Sequence, residues 1–214
     1  IPILKGTANG EESLYMLAMT YYNQSDFVTA SHYFNTYYTT YPRGTYTELA
    51  RFHSGKALYL DTPEPRLDQS STYKAIQELQ MFMEDIAQSM IFELQDKLVE
   101  KEYLSSKLYY DLGSYSGNAS YSSTGNNYLA AIVTAQNVLK EYPYTKMREE
   151  LSILILRAKY HMAKESVLEK REDRMRETVD EYYAFKNEFP ESKYMKEVED
   201  IFKEVSKYIS TDEE

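Results

Sequence analysis

Tyr15, Met19, Tyr22 and Asn23 succeed one another at steps of four, three and one residues, and Phe52, Lys56 and Tyr59 repeat the first two steps. Such steps return to one side of an α-helix. These side chains make no covalent bonds; their chemistry is that of holding another chain. Aromatic rings and methionine offer adaptable apolar contact, and Asn23 and Lys56 can hold a peptide backbone or a carboxylate. An extended or C-terminal peptide segment is the expected ligand of these seven positions. The competing reading is that they pack against a preceding helix.

Reactive chemistry is not evident elsewhere. The chain has no cysteine, which removes disulfides, thiolate nucleophiles and thiolate metal sites. His32, His53 and His161 fall on three different repeats, without the carboxylate spacing of a metal site. His161 lies on an apolar face and reads as a satisfied core histidine. No HExxH, P-loop or GxSxG occurs. Carboxylates are abundant, but on helices that also carry Lys and Arg, where paired surface charge is the default. A non-enzyme without cofactor or metal is expected.

Composition narrows the class further. At 214 residues and 43% hydrophobic content the chain can bury a substantial core. Seven glycines and six prolines are too few for a many-turned β protein. A net charge of −10, with no Lys/Arg stripe, argues against nucleic acid. No apolar run approaches the roughly 18 residues that span a bilayer, and no signal peptide is visible in the sequence. The chain holds 23 tyrosines and no tryptophan. Tyrosine suits half-buried helix interfaces, so most of them are expected to pack one helix pair on the next.

The elements that must position these residues show in a recurring punctuation. Tyr41-Pro42, Tyr142-Pro143 and Phe189-Pro190 each close an amphipathic stretch, and Ala30, Ala131 or Thr178 stands 12 residues before each proline. In the first unit Leu14, Leu17, Ala18 and Tyr21 form one helical stripe, and Ala30, Phe34 and Tyr37-Tyr38 form the next. Ser25 or Asp26 is the expected N-cap between them. Gly55 takes the small-residue slot of the second unit, where Asp61 to Ser70 is expected to be a stiff, extended loop. The proline expected to close that unit is replaced by Ala87, and two helices are expected to run together there. A long helix from about Ser89 to Gly113 opens the third unit, followed by a Gly/Ser/Asn/Tyr-rich loop over 114–127 that contains the triplet Asn118-Ala119-Ser120. The fourth unit uses Leu151, Leu154, Ile155 and Ala158, then Val179, Tyr182-Tyr183 and Phe185. A final helix over about Ser192 to Ile209 reads as a cap.

Leu14, Leu17-Ala18, Tyr21, Ala30, Phe34 and Pro42 fall at the signature spacing of a tetratricopeptide repeat, with Leu14 in place of the leading tryptophan. The chain as a whole resembles BamD, the tetratricopeptide lipoprotein of the outer-membrane β-barrel assembly machinery, in the form found in Bacteroides-type bacteria. The phrases that carry the likeness are Tyr41-Pro42-Arg43-Gly44-Thr45-Tyr46, the insertion ahead of Tyr73-Lys74-Ala75, the stretch from Leu94 to Tyr110, Tyr142-Pro143-Tyr144-Thr145, and Phe189-Pro190-Glu191-Ser192-Lys193-Tyr194. The resemblance implies a scaffold at the periplasmic face of the outer membrane. Its N-terminal repeats would receive unfolded outer-membrane protein clients, and its C-terminal repeats would dock on the barrel-forming assembly protein, beside accessory lipoproteins. It also implies membrane contact only through an N-terminal lipid anchor, whose cysteine is not among these residues.

The expected fold is thus an all-α tetratricopeptide solenoid of about four helical hairpins plus a C-terminal capping helix. Residues 1–88 would form the N-terminal repeats with the client-binding groove, and 89–214 the C-terminal repeats and cap. The expected function is non-enzymatic assembly and insertion of β-barrel proteins. The alternatives are a generic tetratricopeptide adaptor for another complex and a tyrosine-rich glycan-binding protein.

Overall fold

Proline cannot donate to a helix and pushes the residue before it out of the helical region. Both effects are visible at the aromatic-proline pairs. The computed structural model describes residues 8–82, 85–113 and 127–209. All regular structure among them is helical, with nine helices: α1 (Ala8–Asn23), α2 (Phe27–Thr40), α3 (Thr47–Leu60), α4 (Ser70–Gln80), α5 (Asp85–Leu112), α6 (Asn127–Glu141), α7 (Arg148–Lys164), α8 (Leu168–Glu188) and α9 (Met195–Ile209). Tyr41 and Phe189 leave the helix at φ −122° and −127° while their N–H groups still close the last turns of α2 and α8. The three turns then share one hydrogen-bond pattern. Gly44, Thr145 and Ser192 each donate N–H to the carbonyl of the aromatic residue three positions earlier, at 3.0, 3.1 and 3.1 Å. The sequence punctuation is therefore a repeated piece of backbone.

The chain divides into two units, residues 1–98 and 99–214. In the first, α1 packs on α2, α2 on α3 and α3 on α4. Ala18, Ala30, Ala50 and Ala57 are fully buried where these helices meet, and Phe34 and Tyr37 fill the layers between. Asp26 is the N-cap of α2 and accepts the Thr29 N–H. A Cβ on Gly55 would lie 2.8 Å from the Leu79 side chain, so α3 and α4 meet there because the residue is glycine. The first half of α5 completes the core with Ala87, Ile91, Leu94 and Leu98.

Two expectations are corrected here. Ala87 closes no repeat: α4 ends at Gln80 and α5 begins at Asp85, so the helices are separate and Ala87 is a buried contact in the first turn of α5. Nor is the 61–69 segment extended. Gln69, 1% exposed, donates from its amide to the carbonyls of Glu64 and Leu67 at 2.8 and 3.0 Å and accepts the Thr72 hydroxyl at 2.7 Å. One buried side chain folds the insertion back on itself and satisfies its backbone.

In the second unit α7 is apolar on two sides. Leu151, Ile155, Ala158 and Met162 pack toward α6, and Ile153, Leu156, Tyr160 and Ala163 toward α8 and α9. The run Ser152-Ile153-Leu154-Ile155-Leu156 has no polar side because α7 has neighbours on both. Gly113 ends α5 at φ +53°, the left-handed position that glycine adopts without strain. Val198, Ile201 and Val205 turn α9 inward, and Phe202 stacks on Tyr182 at 4.1 Å. The three buried side chains together contribute about 5–9 kcal/mol, at roughly 1.5–3 kcal/mol each, which holds the cap in place. Residues 114–126, with the glycine/serine-rich loop and its Asn118 triplet, lie outside the described residues. No helix among the described residues is long and apolar enough to cross a membrane.

Candidate binding faces

The seven expected site residues divide into three groups. Tyr15 is a correction: it is 7% exposed and lies in the core among α1, α2 and α3. Its ring stacks on Tyr46 at 4.5 Å and meets Tyr37 edge-on, while its hydroxyl reaches His53 Nδ1 at 3.3 Å. Position 15 follows directly on Leu14, so the apolar side of α1 is one residue wider than the stripe suggested. Met19 is half-buried against the same core. Asn23 is exposed at the C-terminal end of α1.

The other four form a connected strip. Tyr22 of α1 meets the edge of His53 at 5.7 Å, and His53 meets Phe52 at 5.6 Å. Phe52 packs on Phe82 and carries the Lys56 ammonium 5.8 Å from its ring centre. Tyr59, one turn further along α3, donates its hydroxyl to the Glu93 carboxylate of α5. A small cleft of about 290 Å³ follows, lined by Tyr59, Leu60, Glu93 and Lys97. Lys97 donates to the Thr62 hydroxyl at 2.6 Å. The strip therefore runs over the first helix of each hairpin, from α1 through α3 to α5.

Its electrostatics are uneven. Neither Lys56 nor Lys97 has a carboxylate partner among the described residues. The nearby carboxylate, Glu93, is taken by Tyr59, whose phenol is pushed up by that hydrogen bond and then by burial. Burial holds the His53 imidazole below its ordinary value, with Lys56 adding to the effect, so it is neutral at pH 7. The strip thus carries two lysines and one hydrogen-bonded carboxylate, a small local excess of positive charge on a chain of net charge −10. The sequence reading missed His53, Glu93 and Lys97. His53 sits beside Phe52 and could have been found from that adjacency; Glu93 and Lys97 lie on α5, whose alignment to α3 no spacing reveals.

A second face, not anticipated, lies on the corresponding helices of the other unit. Tyr110 of α5, Arg157, Tyr160 and His161 of α7, and Tyr194 and Glu197 beside or on α9 line a cavity of about 480 Å³. Here most of the charges are paired, although Lys196 has no carboxylate partner among the described residues. Arg157 makes two bonds of 2.6 Å to Glu197, and Lys164 reaches Glu204 at 2.9 Å, seven residues further along both helices. His161 stacks on Tyr128 at 5.6 Å, and burial lowers its pKa. His161 is thus half-buried, packed on Tyr128 and lining the cavity, rather than the core histidine that its apolar face suggested. The His32 ring meets the edge of Tyr33. Among the described residues no group of three or more His, Cys, Asp or Glu converges as metal ligands. The sequence matches no protein-family model, and no curated protein matches it.

Proposed function

We propose that this chain is a non-enzymatic tetratricopeptide scaffold of the outer-membrane β-barrel assembly machinery, working at the periplasmic face of the outer membrane. The strip from Tyr22 through Phe52 and Lys56 to Tyr59 receives unfolded client segments, and the C-terminal repeats dock on the barrel-forming partner and accessory lipoproteins. The observation that carries the binding half is the pairing of half-exposed aromatic rings with two lysines, Lys56 and Lys97, that lack carboxylate partners among the described residues of an acidic chain. Such a strip suits an extended segment that brings apolar side chains and a carboxylate. The assembly half rests on the BamD resemblance, whose phrases fall on the aromatic-proline turns and on α5.

Two experiments separate the halves. Binding of a labelled C-terminal peptide from an outer-membrane barrel protein should weaken at least about tenfold on Tyr22→Ala plus Lys56→Ala, the loss of one aromatic anchor and one charge contact. Unchanged affinity would remove the strip from the proposal. Affinity capture from solubilised envelope with the full-length protein should recover a large barrel protein with periplasmic repeats. Recovery of a different soluble partner instead would make the chain a generic adaptor.

A further inference from the structure

We infer that the turn between α7 and α8 is a contact site for a phospholipid surface, with Val167 and Leu168 entering the interface and Arg171 and Arg174 taking headgroup phosphates. The tip of the turn is apolar: Val167 and Leu168 follow one another at 61% and 79% exposed. The pair is not isolated. Leu112 at the end of α5, Leu129 in the first turn of α6 and Tyr208 in the last turn of α9 are also exposed. These helix ends lie at one end of the unit, joined by the Tyr128–Glu165 hydrogen bond and the Lys164–Glu204 pair. Around the α6–α7 and α8–α9 turns, at the opposite end, Tyr144 is the one large apolar side chain exposed among the described residues. An extended peptide is matched by a groove along helices, whereas apolar side chains spread over four helix ends match a broad surface. No helix among the described residues can cross a membrane, so such a contact lies on the bilayer.

The same turn carries cations that the chain does not pair. Arg148, Arg157 and Arg176 of this unit each bond a carboxylate. Arg171 and Arg174 bond Ser166 instead, the first donating to its carbonyl at 2.9 Å and the second to its hydroxyl at 2.5 Å. Neither they nor Lys170 have a carboxylate partner among the described residues. The Arg171 Nε–H is buried without an acceptor, a donor that the side chain would satisfy by turning out toward an oxyanion. The acids nearby are turned away or engaged. Glu169 and Asp173 stand two positions either side of Arg171, on the opposite side of α8. Glu172 is taken by Arg176, Glu165 accepts the Tyr128 hydroxyl, and Glu204 of α9 holds Lys164. Glu177 follows Arg174 by almost one turn, but Arg174 reaches the other way, to Ser166. Each guanidinium keeps further donors, in a fork that matches phosphate oxygens. The chain is acidic as a whole, yet charges more than about 8 Å away are largely screened at physiological ionic strength. The turn's own cations therefore decide the contact. An apolar tip backed by guanidinium groups is the composition of an interfacial anchor, whose aliphatic side chains enter the headgroup boundary while arginines stay at the phosphates.

This contact depends neither on the proposed client nor on the proposed assembly partner. The chain has no cysteine, so Leu168→Cys and, at the other end of the unit, Tyr144→Cys can each carry a single environment-sensitive fluorophore. Each labelled chain is titrated with vesicles of phosphatidylglycerol and phosphatidylcholine in equal parts at physiological ionic strength. Emission should shift to the blue and saturate for Leu168→Cys, and stay unchanged for Tyr144→Cys. In unlabelled chains, co-sedimentation with the same vesicles should weaken about fivefold for each of Arg171→Gln and Arg174→Gln, the loss of about 1 kcal/mol per charge at the surface. Val167→Ser plus Leu168→Ser should weaken it at least about tenfold; both positions are exposed, so the fold is kept. Inorganic phosphate at matched ionic strength should leave vesicle binding intact. No saturable shift for Leu168→Cys, an equal shift for Tyr144→Cys, unchanged binding by the arginine variants, or full displacement by inorganic phosphate would each overturn the lipid contact. A shift for Leu168→Cys with a leucine-rich acidic peptide but none with vesicles would overturn it too, and give the turn to a protein partner. Tyr22→Ala plus Lys56→Ala should bind vesicles as the parent chain does, so failure here and failure of the first-unit strip are told apart.

Discussion

Removing one oxygen atom, by Tyr37→Phe, tests how the first hairpin is joined to the second. The Tyr37 ring is fully buried and stays in place in the variant. Its hydroxyl donates to Glu11 Oε1 at 2.6 Å and accepts the Tyr46 N–H at 3.0 Å. The same Glu11 oxygen accepts the Thr45 N–H at 2.6 Å. A carboxylate on α1 and a phenol on α2 thus hold the two backbone donors that lead into α3. A hydrogen bond to a charged group is worth about 1.5–3 kcal/mol, and a neutral one about 1 kcal/mol. Glu11 and Tyr46 both reach water, which recovers part of this, so the expected loss is about 2 kcal/mol. For a chain of this size that is a fall in Tm of about 4–8 °C. Glu11→Gln should show positive coupling with Tyr37→Phe in a double-mutant cycle. The pH dependence is set by the carboxylate. Glu11 lies below its ordinary value of 4.5 because the Tyr37 hydroxyl, and then the Thr45 N–H, bond its ionised form. Its contribution is complete above that value and is lost as pH falls through the lower folded-state value. The Tyr37→Phe penalty, read from urea unfolding, should therefore be full at pH 7 and shrink below about pH 4.5. A loss under about 0.5 kcal/mol at pH 7, or strict additivity with Glu11→Gln, would refute this account of the junction.

Two substitutions probe the packing that carries the first-unit strip. Gly55→Ala should destabilise by about 1–3 kcal/mol, because the new Cβ would lie 2.8–2.9 Å from Leu79 side-chain atoms and 3.2 Å from its backbone nitrogen. The roughly 1 kcal/mol that alanine gains over glycine in a helix is smaller, so a stabilised variant by thermal melting would contradict the contact. Gln69→Ala should cost about 1–2 kcal/mol, since it removes the hydrogen bonds that a buried amide makes to the Glu64 and Leu67 carbonyls and to the Thr72 hydroxyl. It should also raise hydrogen exchange at the Leu67 N–H, which bonds the Glu64 carbonyl at 3.0 Å; unchanged exchange there would show that the segment folds without Gln69.

The helices were legible because their signals are local. The aromatic-proline pairs remove a donor at a fixed place, and the apolar stripes of α1, α2 and α9 repeat at helical spacing. The junction at Ala87 was misread because a closing proline was sought in a unit whose last helix, α4, stops at Gln80. The insertion was misread because its prolines speak of stiffness, whereas its conformation is set by Gln69, one residue before the next helix. At the binding face the failure had a single cause. Helical spacing identifies a side of a helix but not what lies opposite, so Tyr15 was assigned to the surface when Tyr46 and His53 cover it. The second-unit cavity needs α5, α7 and α9 together, and no pairwise spacing contains that.

The abundance of tyrosine bears on function through the glutamates it occupies. In the first unit Tyr37 bonds Glu11, Tyr38 bonds Glu78 and Tyr59 bonds Glu93, each joining different helices. A phenol holds a carboxylate without neutralising it and without using a lysine. In the second unit lysine and arginine do much of that work, as in Arg157–Glu197, Lys159–Glu181, Lys164–Glu204 and Lys186–Glu199. The consequence falls on Lys56 and Lys97. With Glu93 engaged by Tyr59, both lysines stand beside half-exposed aromatic rings with no carboxylate partner among the described residues. Tyr59→Phe should release Glu93 toward Lys97, one helical turn away on α5. If the strip binds through its open cations, this change should weaken a carboxylate-bearing peptide even though every lysine and every ring is still present.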